Sequence, residues 1–250
     1  MPVDRISQDA EGTPDAETEQ RKRLKQAAML TATAGLLFST LAMICFLIIP
    51  GRDQRQLDTY AGSDSVTRFL ALYVFPIAGI SFIWFIVPLR MWISQRMPGR
   101  VNALLSNIQL VSGIVFLVLF FTSAAALSIG NVVLADDSGT TYNVTSFGFP
   151  QYGHALFFVF ASRMGAMFVF STTSIVRQTD VFPVWFIWLG YGVGLFMLLS
   201  ASFNQALFFV FPVWILLLCL LVINHLRQII QGVKPMVITG ARIVENEDGQ

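Results

Sequence analysis

Residues 155–176 read ALFFVFASRMGAMFVFSTTSIV. A helix of about 20 apolar residues is long enough to cross the roughly 30 Å hydrocarbon core of a bilayer. This run meets that length and carries a single charge, Arg163. A guanidinium cannot shed its proton in a protein and is costly at membrane depth, so its position is the strongest functional clue in the chain.

Five more apolar runs flank this one, near 27–49, 69–91, 103–129, 182–200 and 206–228. The 250-residue chain is 55% hydrophobic and 12% charged, well below the charge of a soluble globular domain. An all-α polytopic membrane protein of six transmembrane helices is expected. The chain divides into a disordered tail, 1–26, a six-helix domain, 27–228, and a second tail, 229–250. The first run follows a polar stretch and lacks a cleavage site after a short core, so it reads as a retained span. Its preceding cluster Arg21, Lys22, Arg23 and Lys25 suits a membrane-proximal anchor.

Basic residues resist translocation and so set orientation. With the amino terminus inside, Arg5, Arg90, Arg96, Arg100, Arg177, Arg227, Lys234 and Arg242 join that cluster on the inner side, leaving Arg52, Arg55 and Arg68 outside. Both termini are therefore expected to be cytoplasmic. Trp92, Trp185 and Trp188 then lie at the inner interface, where indoles prefer to sit. The longest outer loop, 130–154, holds two extended-looking stretches around Asp136–Gly139 that fit a small hairpin. Its Asn143-Val144-Thr145 triplet would be a glycosylation site only in a eukaryotic secretory pathway.

Small residues at helical spacing permit close approach of membrane helices. Here they are Ala161 with Gly165, Ser162 with Ala166, and Gly190 with Gly194. They make the fourth and fifth runs the expected packed core, serving bundling within the chain ahead of dimerisation. Three outer helix starts, ALYVFP, ALFFVFA and ALFFVFP, look alike, but their unequal spacing falls short of a sustained repeat.

All acidic residues lie in tails, loops or run ends, so Arg163 has no carboxylate at its depth. Pro76, Arg163 and Pro212 lie at comparable depth, about 12 Å below the outer end. A proline inside a helix frees the carbonyl four residues earlier, here Leu72 and Phe208, and Arg163 leans outward toward that level. One reading makes Arg163 a structural pin on these two kinks, helped by Ser81, Ser112 or Ser162. The other makes Arg163, with the same serines, a binding site for a small anion or a lipid headgroup in an outward-facing cavity.

Asn107, Gln109 and Ser171–Ser174 are weaker polar signals, expected to be satisfied within their own helices. His154 and His225 sit at opposite membrane faces and cannot share a metal. Cys45 and Cys219 fall inside apolar runs and read as small hydrophobes. No cofactor or metal site is indicated. Catalysis is not expected, because no HExxH, GxSxG or P-loop is present and no acidic cluster lies in a span. The net charge of +1, with cations at run ends, argues against nucleic acid.

Arg163, Met164, the stretch FVFSTTSI at 168–175, Pro183, Trp185, Leu189, Gly190, Tyr191, Phe211, Pro212 and Trp214 together resemble uncharacterised six-span membrane proteins of actinobacterial type. The resemblance covers roughly the second half of the chain and implies a multi-pass protein of a bacterial inner membrane, with no activity attached. The expected function is binding or translocation of a small anionic or amphipathic molecule near Arg163. The alternative is a non-catalytic sensor, scaffold or membrane-complex subunit, with a protein partner or a second copy of itself.

Overall fold

A computed structural model of the chain describes residues 14–48, 73–94, 101–133, 149–179, 182–200 and 206–230. Every regular element among them is helical: α1 (Pro14–Ile48), α2 (Phe75–Ser94), α3 (Val101–Val133), α4 (Phe149–Ala155), a π-helical segment (Leu156–Ala161), α5 (Ser162–Arg177), α6 (Val184–Leu199) and α7 (Ala206–Ile230). The expected hairpin and the Asn143 triplet lie outside the described residues, apart from 130–133 and 149–154, which are helical.

Helix α1 reaches back to Pro14, into the stretch read from sequence as tail. Proline suits the first helical position because its missing N–H would be unbonded there. Among the described residues, five stretches are long and apolar enough to cross a membrane: Lys25–Cys45, Phe75–Ile93, Ala103–Ala126, Tyr152–Arg177 and Phe209–Gln228. The run expected as the fifth of six spans is shorter. Pro183 is extended (φ −66°, ψ 147°) and caps α6 from outside, and Ser200 is extended at the far end. The 16 residues between them cover about 24 Å.

Contacts between residues order the helices. Phe38 and Gly35 of α1 face Phe82 and Phe85 of α2, while Gly113 and Phe116 of α3 face Ile86 and Phe82. Phe168 and Gly165 of α5 meet Gly113 and Phe116 in turn. Gly190, Gly194 and Met197 of α6 run back along Thr173, Phe170 and Gly165 of α5. Phe186 stacks on Trp214 of α7, and α7 closes on α1 through Phe211 with Phe38 and Cys219 with Gly35. Each helix is antiparallel to the next, so the six helices form a closed ring, α1-α2-α3-α5-α6-α7. The start of α1 and the end of α7 share one end of the bundle.

The ring is filled by phenylalanine. Phe82 lies 4.8–5.9 Å, centroid to centroid, from Phe38, Phe116, Phe168 and Phe211. Side chains from five helices thus converge in tilted and edge-on arrangements, each worth about 0.5–1.5 kcal/mol beyond area burial. This aromatic layer occupies the bundle axis halfway along.

The packing of α6 on α5 depends on glycine. A Cβ at Gly190 would stand 2.3 Å from Thr173 Oγ1, and one at Gly194 would stand 3.1 Å from the Phe170 ring. The far side of α6 exposes Val184, Trp185, Trp188, Leu195 and Phe196, as suits a helix bathed by lipid.

Candidate functional site

Arg163 sits at the start of α5, directly after the π-helical segment. In that segment the backbone widens to bonds five residues long: the Ser162 N–H donates to the Phe157 carbonyl. Where such a turn returns to the ordinary four-residue register, one carbonyl loses its backbone donor. Side chains supply donors at this junction. Ser162 Oγ donates to the Phe158 carbonyl, and Arg163 Nη1 donates to the Val159 carbonyl.

Arg163 therefore bonds to its own helix, four residues back toward the start of the span. Phe211 and Gly165 both pack on Phe116, which puts Pro212 and Arg163 within about a turn of one level. The acceptor is Val159 rather than Phe208. Leu72 lies outside the described residues. Only one of the two prolines lies inside a helix as expected. Pro212 is inside α7, whereas Pro76 is the second residue of α2, preceded by the π-helical pair Tyr73 and Val74. The proline interior to α2 is Pro88, which the sequence reading did not single out.

The arginine is half-buried and lies on the helix stripe between Phe160 and Met167, both of which are exposed. Guanidinium has five N–H donors. Beyond the bond to Val159, the remaining donors meet no acceptor among the described residues. They lie at the outer face of the ring, beside the aromatic layer and not inside it.

The three serines grouped with Arg163 are placed differently. Ser162 donates to Phe158, Ser81 Oγ to the Ile77 carbonyl at 2.8 Å, and Ser112 Oγ to the Gln109 carbonyl at 3.0 Å. A hydroxyl has one proton, and in all three it is used inside the helix that carries the serine. None retains a donor for an anion. Ser112 also adjoins Gly113, which packs at Phe168, about 7 Å further along the bundle than Arg163. At the α5–α6 interface Gly165, Gly190 and Gly194 are buried against Met197, Thr173 and Phe170, and Ala161 is fully buried.

A second polar zone appears toward the other end. Arg90 near the end of α2 donates through Nε to Ser106 Oγ at 2.9 Å and through Nη2 to Asn107 Oδ1 at 2.7 Å. Gln109 Nε2 of α3 donates to Thr172 Oγ1 of α5 at 2.8 Å, with both residues buried. Ser174 and Tyr191 hydroxyls lie 3.3 Å apart across the α5–α6 interface. Ser171 bonds within its helix to Met167 and Phe168, as expected, but Asn107, Gln109, Thr172 and Ser174 bond across helices. The physical cause is reach: the long side chains of Arg90, Gln109 and Tyr191 extend to the polar groups of the adjoining helix.

Among the described residues no group of three His, Cys, Asp or Glu side chains could hold a metal. No family model, curated protein or solved structure matches the chain, so its residues and their geometry carry the functional reading.

Proposed function

We propose that the protein is a six-span bacterial inner-membrane protein, termini cytoplasmic, that binds the acidic headgroup of an amphiphile at Arg163. The observation that carries this reading is the half-buried guanidinium on the outer stripe of α5, bonded once to Val159 and otherwise open toward the bilayer. A phosphate or carboxylate there would accept the remaining donors in paired, charge-assisted geometry. The apolar tail would lie against exposed Phe160 and Met167. Lateral entry from the bilayer suits this position, because the aromatic layer fills the bundle axis beside it. Loss of all three serine donors to their own helices leaves Arg163 as the anion ligand.

The Val159 bond also supports the alternative, a scaffold or complex subunit in which Arg163 stabilises the π-helical junction. The two readings separate in one experiment. Native mass spectrometry of the detergent-solubilised protein should show retained acidic lipid in the parent and in Arg163→Lys, which keeps the charge. Arg163→Gln can still donate to Val159 and should fold, but should lose the lipid. Equal lipid retention in Arg163→Gln leaves the scaffold reading standing and removes the binding one.

A further inference from the structure

Below the aromatic layer, away from Arg163, several polar atoms share one level. Phe168 and Phe211 pack together at 6.2 Å. Thr172 and Thr173 lie one turn beyond Phe168, and Trp214 lies most of a turn beyond Phe211. Gln109 reaches this level through its bond to Thr172. Thr173 abuts Gly190, and Trp214 stacks on Phe186 one turn along the same face of α6.

Three of these buried atoms have no hydrogen-bond partner: Gln109 Oε1, Thr173 Oγ1 and Trp214 Nε1. Their residues are 1%, 0% and 1% exposed. An unpaired polar group in an apolar interior carries a full desolvation penalty. The Thr173 hydroxyl can turn to the carbonyl four residues back. Trp214 and Gln109 have no such recourse. The indole can only donate, and swapping the Gln109 amide atoms would trade an orphan acceptor for orphan donors.

One indole donor and one amide acceptor, with a hydroxyl able to do either, define the missing partner. We infer that this layer binds a small neutral molecule that both donates and accepts hydrogen bonds, water or a hydroxylated solute. It accepts from Trp214 Nε1 and donates to Gln109 Oε1, directly or through a second such molecule. Charged ligands do not fit, because the layer offers no countercharge among the described residues. Buried waters in proteins typically make two to four hydrogen bonds to such otherwise unsatisfied groups. The site is independent of Arg163, from which the phenylalanine layer separates it.

The test is the indole N–H of Trp214 in the full-length protein, labelled with nitrogen-15 at its tryptophans and assigned by loss of the signal in Trp214→Phe. The inference predicts a hydrogen-bonded, downfield N–H, with an exchange or Overhauser cross-peak to water. A downfield signal whose cross-peak goes to a carbon-bound solute proton identifies the hydroxylated solute, within the same chemical class. Replacing Trp214 with 3-benzothienylalanine, which keeps the shape and removes the donor, should then lower the unfolding midpoint by about 2–4 °C. An N–H at the unbonded position, with an unchanged or raised midpoint for the isostere, overturns the inference. So does a downfield signal that moves upfield in Thr173→Val without any cross-peak, since the partner is then Thr173 itself.

Discussion

Arg90 and Arg163 are both arginines in apolar helices, yet the fold uses them in opposite ways. Arg90 stands near the end of α2 and spends two donors on Ser106 and Asn107 of the neighbouring α3. Arg163 lies eleven residues from one end of its span and fourteen from the other, and spends its bond on its own helix. A cation that joins two helices contributes to the fold. One that closes on its own backbone keeps donors to spare, as the proposed headgroup site requires. Depth alone does not distinguish them: the deeper arginine is the less engaged one.

That contrast can be broken or sharpened by substitution. The largest effect should come from Gly190→Ala, which disturbs the α5–α6 contact at the Thr173 layer. Its Cβ meets the Thr173 side chain close to the α5 backbone, where little can yield. Overpacking of this kind costs about 2–3 kcal/mol, measurable as a lowered unfolding midpoint in detergent. If Gly190→Ala unfolds at the parent's temperature, the α5–α6 contact is looser than described.

Arg90→Met should come next, at about 1–2 kcal/mol, since it removes two charge-assisted bonds from a half-buried site. A double-mutant cycle with Asn107→Leu should give a coupling of about 1 kcal/mol. Additive effects would show that the clamp carries no energy. Gln109→Met should cost a similar amount by removing the bond to Thr172 while keeping volume. Arg163→Gln should destabilise least, by under about 1 kcal/mol, because the amide can take over one intrahelical bond. A loss as large as that of Arg90→Met would erase the contrast and make Arg163 a structural residue.

The helices were legible because hydrophobic run length is a direct consequence of bilayer thickness. The small residues were legible for a related reason: Gly190 and Gly194 mark where two backbones approach, whatever the partner. What the sequence reading missed lies at backbone register. Nothing in LFFVFA announces a π-helical turn, and the proline rule points to a free carbonyl on another helix when the acceptor lies on Arg163's own. The serines grouped with Arg163 were chosen by polarity and depth, which do not reveal that each hydroxyl proton returns to its own helix. The fifth run reads longer than its helix because the flanking Pro183 and Ser200 carry no charge, yet both have extended backbones. Polar bonds across helices at Gln109 and Asn107 depend on interhelical distances that no local pattern records.

The most direct test of the Arg163 account compares amphiphiles that differ only in charge. The unfolding midpoint of the purified protein is measured with decyl phosphate and with an uncharged decyl glycoside, for the parent and for Arg163→Gln. The account predicts that the phosphate raises the parent's midpoint by about 4 °C or more over the glycoside, a preference of at least about 1 kcal/mol. In Arg163→Gln the two amphiphiles should act alike. An equal phosphate preference in parent and variant would contradict it.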